Sequence, residues 1–89
     1  MLKSIAYILV DLDNEQKEII LRKASFFVQD EVTAEDLNNR RKKWIRFSKA
    51  AITDVIGELS YHCNRSRSNR ECLFLDELIT HLEFYERAG

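Results

Sequence analysis

Apolar residues at the start of the chain do not alternate but run together, Ile5, Ala6, Tyr7, Ile8, Leu9 and Val10 following one another without a break until Asp11. A run this short has no period of its own. Segment 2–12 is read as a helix, with a strand as the alternative because Ile, Tyr and Val favour extended backbone. In an otherwise helical chain a single strand needs a partner, and that partner is expected only from a second copy. Beyond Asp11 the spacing turns helical. Asp13 is an N-cap with Gln16 three residues on, and Glu15 and Glu18 sit near the positive end of the helix dipole, which predicts a helix from about Asn14 to Gln29. Its stripe is Ile20, Leu21, Ala24, Phe27 and Val28. Ile19 and Phe26 fall on a second face, roughly 100° away, packed either inside the monomer or against another chain.

Thr33 with Asp36 forms a Thr-x-x-Asp capping box, and nothing after it breaks a helix before about Cys63. On that helix Leu37, Trp44, Ile45, Ala51, Ile52, Val55, Ile56, Leu59 and Cys63 fill a wide apolar arc. Lys42, Lys43, Arg46 and Lys49 lie opposite, and Gly57 is on the polar side. Asn64 to Asn69 is a loop, after which Ser68 and Glu71 cap a last helix. That helix buries Cys72, Leu75, Leu78, Ile79, Leu82 and Tyr85 and turns Leu73 and Phe84 away. The pattern predicts an all-α fold: one domain, residues 1–89, a small bundle of three or four helices around a long central amphipathic helix.

Composition agrees with this picture. The absence of Pro and the presence of only two Gly leave little to interrupt a helix, and a hydrophobic share of 45% is ample for a packed interior. Two half-length domains would be too short to bury separate cores. The run at Ile5–Val10 is too short to cross a membrane and lacks a small-residue cleavage site after it, so a cytoplasmic protein without membrane contact is expected. In that compartment Cys63 and Cys72 are expected as thiols.

Charge is where the chain departs from an ordinary helical domain. The net charge of −1 divides into −4 for Met1–Asp36, +7 for Leu37–Arg70 and −4 for Glu71–Gly89. On the expected central helix Arg40 alone has an acidic residue at helical spacing, Asp36; Arg41, Lys42, Lys43, Arg46 and Lys49 have none. Their counter-charge then comes from solvent ions, from the acidic ends of the chain, from an acidic protein or from a phosphate backbone. Replacing such exposed charges should cost little stability.

Other chemistry finds no support. The chain has neither Cys-x-x-Cys nor His-x-x-x-His, and His62, Cys63, Cys72 and His81 are not spaced as zinc ligands. No oxyanion hole or orienting residue accompanies a Cys–His pair, and neither Gly sits in a phosphate-cradling loop. No catalytic residue, metal or cofactor is expected. A base-reading N-terminal ribbon would need alternating polar side chains, which Ile5–Val10 lacks. The expectation is a non-enzymatic interaction or regulatory module that binds another protein, as a homodimer. Its basic face is Arg40, Arg41, Lys42, Lys43, Arg46 and Lys49, and its oligomer interface is drawn from Ile19, Phe26, Leu73 and Phe84. The alternative is a nucleic-acid-binding regulator with Arg65, Arg67 and Arg70 as a second basic contact. Trp44 and Phe47, on the apolar side of the wheel, are expected in the core rather than as stacking platforms.

Overall fold

The computed structural model describes residues 7–28 and 30–88. Residues 2–6 of the first expected element and Gln29 lie outside them. In chain order the elements are strand β1 (Ile8–Asp11), helix α1 (Asn14–Lys23), a 3-10 turn (Ser25–Phe27), helix α2 (Glu31–Asn38), strand β2 (Trp44–Phe47), helix α3 (Lys49–Arg65) and helix α4 (Asn69–Ala88). The described chain is mostly helical, with a small antiparallel sheet that an all-α fold lacks.

That sheet corrects two expectations together. Ile8, Leu9 and Val10 of the apolar run are in a strand, and its partner comes from the same chain, in the register Ile8↔Phe47, Leu9↔Arg46, Val10↔Ile45 and Asp11↔Trp44. The expected continuous central helix is therefore three elements. Asn38 and Asn39 are weak helix formers, and a helix continued through them would place like charges three or four residues apart, Arg40 with Lys43, Lys42 with Arg46 and Lys43 with Arg46. Trp44, Ile45, Arg46 and Phe47 then read at a period of two: Ile45 and Phe47 are fully buried while Trp44 stays 47% exposed. Trp44 is thus not a core residue, whereas Phe47 is.

The helix boundaries follow side-chain chemistry. Asp13 makes the expected capping box with Gln16, and α1 ends where Ser25, Phe26, Phe27 and Val28, all weak helix formers, follow one another. The cap of α2 is Asp30, whose carboxylate accepts from the Val32 N–H at 2.8 Å and from the Tyr7 hydroxyl at 2.8 Å. Thr33 and Asp36 are not its cap; they are interior residues of α2 and are buried. Ser48 caps α3, and Ser68 accepts from the Glu71 N–H at the start of α4, as expected.

Helices α3 and α4 form an antiparallel hairpin. Cys63 and Cys72 meet at its closed end, with Cα atoms 4.8 Å apart, and Thr53 donates to Glu86 at its open end at 2.6 Å. The two cysteines are joined in a disulfide, where two thiols were expected. The three-residue turn between the helices brings their Cα atoms inside the range a disulfide needs. One core collects Val10 and Leu12 from the first segment, Ile20 from α1, Leu37 from α2, Ile45 and Phe47 from β2, Ile52, Val55 and Leu59 from α3, and Leu75, Leu78 and Leu82 from α4. Ile19 is half-buried: it packs against this cluster and also lines an open concavity with Arg70 and Phe74. Leu73 and Phe84 are 64% and 66% exposed, and Phe26 lies at the surface.

Candidate functional site

The basic segment Arg40–Lys49 is a turn, a strand and the first residue of a helix. Its shape is set by two buried charges that composition did not single out. Lys17 of α1 is almost wholly buried, and its ammonium donates to the carbonyl oxygens of Asn39 at 2.7 Å and Lys42 at 2.6 Å. These bonds gather the turn around one nitrogen. Burial, and then the nearby Arg40, lower the Lys17 ammonium from its ordinary value. The turn is closed further by the Lys42 N–H on the Asn39 carbonyl and the Arg41 N–H on the Asn39 side chain.

Asp36 is the second buried charge. Its carboxylate accepts from Arg46 Nε and Nη2, each at 2.9 Å, from the Arg46 backbone N–H at 3.0 Å and from Lys42 Nζ at 2.8 Å. The Arg46 side chain holds this carboxyl well below the usual carboxylate range; burial opposes that, and Lys42 and the Arg46 N–H reinforce it. Arg46 is raised in return. Lys42 and Arg46 are therefore partly exposed cations that share Asp36 as an acidic partner, and not members of an unpaired basic face. The helical wheel hid this because Asp36 and Arg46 are ten residues apart and meet only when the chain doubles back.

The same contacts seal one edge of the sheet. The Leu12 N–H bonds to the Lys43 carbonyl, so by alternation 10–45 and 8–47 are hydrogen-bonded pairs and 9–46 is not. Both main-chain groups of Arg46 consequently point away from β1. The N–H goes to Asp36, and the carbonyl accepts from the Thr33 hydroxyl. On the opposite edge, the Asp11 carbonyl meets His81 Nε2 of α4 at 2.6 Å.

What remains outward is a mixed surface. Leu9, 53% exposed, and Trp44 lie diagonally across the outer face of the sheet, where non-adjacent partners are within reach of an aromatic side chain. Arg40, Arg41 and Lys43 are exposed on the adjoining turn, and Lys43 Nζ lies 3.9 Å from the Asp11 carboxylate. Together with Asp11, Leu12, Asp13, Asn14 and Lys42 they line an open concavity of about 270 Å³. Lys49 is exposed at the start of α3. Leu9 escaped notice in the sequence because it stands inside an unbroken apolar run; the alternation of residues 44–47 was the signal for Trp44.

Arg65 ends α3, Arg67 lies on the α3–α4 turn and Arg70 is in the first turn of α4, at the closed end of the hairpin. All three are exposed, and the Arg65 guanidinium lies 4.5 Å over the Tyr61 ring. Among the described residues no group of three His, Cys, Asp or Glu is arranged to hold a metal ion, and no helix is long and apolar enough to cross a membrane. Comparison with protein-family models, with curated proteins and with solved structures finds no match to this chain.

Proposed function

We propose that the chain is a small non-enzymatic interaction module that binds an acidic protein segment through the outer face of its sheet and the neighbouring turn. The observation that carries this reading is the outward placement of Trp44 and Leu9 beside Arg40, Arg41 and Lys43. An exposed aromatic and an exposed aliphatic side chain next to guanidinium groups have the composition of a contact surface, in which aromatic and Arg residues carry most of the binding energy. The partner presents apolar side chains to Leu9 and Trp44 and carboxylates to the turn. Lys42 and Arg46 take no part, because Asp36 already holds them.

A second reading, nucleic-acid binding, gains from the same tryptophan. A half-exposed indole flanked by cations is a surface on which a base can stack while phosphates meet the turn. Asp11 and Asp13 on the wall of the concavity repel phosphates and carboxylates alike; what favours a protein partner is the exposed Leu9, an apolar contact that base stacking does not need.

Trp44 is the chain's only tryptophan, so its fluorescence reports directly on this face. Titration with peptides that combine Asp or Glu with aromatic residues should shift the emission and saturate. The variant carrying Arg40→Gln, Arg41→Gln and Lys43→Gln should lose the response with its fold intact. Quenching by single-stranded DNA or RNA, with affinity falling steeply as salt rises, would favour the second reading. No response to either probe would defeat both. Self-association belongs to another surface: Leu73 and Phe84, eleven residues apart, project from α4 within about 20° of each other. A homodimer formed there should become monomeric in light scattering when both are changed to Asp, and a wild type that stays monomeric at high concentration would remove it.

A further inference from the structure

We infer that Cys63 and Cys72 form a reversible dithiol–disulfide site, oxidised by hydroperoxides and reduced again by dithiols while the chain stays folded. Their proximity does not depend on the bond between them. Ser66 N–H bonds to the Cys63 carbonyl, Ser66 and Ser68 bond to each other, and Cys72 N–H bonds to the Ser68 carbonyl, so the turn is closed by its own hydrogen bonds. The helices it joins are held by the buried side chains of Ile52, Val55, Leu59, Leu75, Leu78 and Leu82. Reduction therefore leaves two thiols still facing each other. Both residues are half-buried, and neither is among the fully buried core residues.

The surroundings are those of a reactive cysteine rather than an inert one. Reactive thiols sit in electropositive, partly exposed positions. Cys72 is in the first turn of a 20-residue helix, at the positive end of its dipole, with Arg70 exposed in the same turn, Arg67 on the connection before it and Arg65 at the end of α3; Glu15 and Glu18 of α1 share a concavity with Arg70, and Glu18 is itself paired with Arg22. The nearest carboxylate in sequence, Glu71, is engaged by Lys23 at 3.0 Å. Cys72 is the attacking residue and Cys63 the resolving one.

The steps balance. The Cys72 sulfur, having released its proton to solvent, attacks one oxygen of hydrogen peroxide. The O–O bond breaks, Cys72 becomes a sulfenic acid, and the departing hydroxide takes up a proton to give water. The Cys63 sulfur then attacks the Cys72 sulfur, its proton leaving with the expelled hydroxide as a second water. Two thiols lose two electrons and the peroxide gains them. A dithiol reverses the change through a mixed disulfide, becoming a disulfide itself.

The test uses the full chain, reduced with excess dithiothreitol, freed of it and treated with stoichiometric hydrogen peroxide. Both thiols should disappear together from alkylation in a monomeric product, and dithiothreitol without denaturant should restore them. Circular dichroism should stay the same, and the oxidised form should melt about 10 °C higher, since it closes a nine-residue separation. In Cys63→Ser, peroxide should leave a sulfenic acid on Cys72 that a cyclic dione traps, whereas Cys72→Ser should react about 10-fold more slowly. Three results would each overturn the proposal: thiols inert to peroxide, a disulfide that only a denatured chain gives up, or cross-linking between chains. The wild-type cycle decides these even if a serine variant fails to fold.

Discussion

Asp36 shows how a single buried carboxylate converts a charged stretch of sequence into architecture. It pairs with two cations, accepts a main-chain N–H that β1 cannot reach, and so fixes the distance between α2 and β2. Breaking a buried pair costs about 3–5 kcal/mol, but the Arg46 and Lys42 side chains are 39% and 35% exposed and solvent would take up part of their charge. Asp36→Asn should therefore lower stability by about 2–3 kcal/mol in a urea melt at neutral pH. Because the folded carboxyl is held below its ordinary value, its contribution is complete above about pH 5 and is lost as the pH falls through the carboxylate range near 4 and below. Wild-type stability should decline across that window, and the Asn variant should decline less. Gly57 is the opposite case: it is exposed on α3, and a Cβ there would meet nothing within 4 Å. Gly57→Ala should raise stability by about 1 kcal/mol, measured the same way.

The turn between α2 and β2 is where local sequence and tertiary structure part company. Two of the three expected caps were readable: Asp13 with Gln16 and Ser68 with Glu71 form as their spacing says, whereas Thr33 and Asp36 cap nothing, and the buried stripe of α4, with Leu73 and Phe84 outside it, follows its helical period. The central helix was not readable as three pieces, because a wide apolar arc arises equally from one broad helix and from a strand spliced into two helices. The period-2 alternation of residues 44–47 is only four residues long and gains meaning only once Ile8–Asp11 is seen to be its partner. Of the basic-face residues, Arg40, Arg41, Lys43 and Lys49 are exposed as expected, while Lys42 and Arg46 are not free. Lys17 was invisible as a structural group, since nothing local tells a buried lysine from a surface one. Its role is open to measurement: Lys17→Met fills similar volume but takes the ammonium from the Lys42 carbonyl and leaves the Asn39 carbonyl with only the Lys42 N–H. An acceptor left unpaired away from solvent costs about 1–3 kcal/mol, so the variant should lose about 1–2 kcal/mol, and amide exchange should quicken first at residues 39–43.

Across the chain, the uneven charge that drew attention to residues 37–70 divides into cations that build the fold and cations that face solvent. The division can be measured with two sets of substitutions of equal charge. Lys42→Gln with Arg46→Gln removes both partners of Asp36 and leaves a buried carboxylate uncompensated, so stability should fall by about 3 kcal/mol or more. Arg40→Gln with Arg41→Gln removes the same charge from exposed positions and should change stability by no more than about 1 kcal/mol. Binding should follow the reverse order: the exposed pair should weaken association with an acidic peptide, chiefly by slowing the encounter, and the effect should shrink as salt screens the turn. The internal pair, examined well below its lowered melting temperature, should bind nearly as the wild type does. If both sets lowered stability equally, Arg40 and Arg41 would be part of the scaffold as well, and the contact surface would contract to Leu9, Lys43 and Trp44.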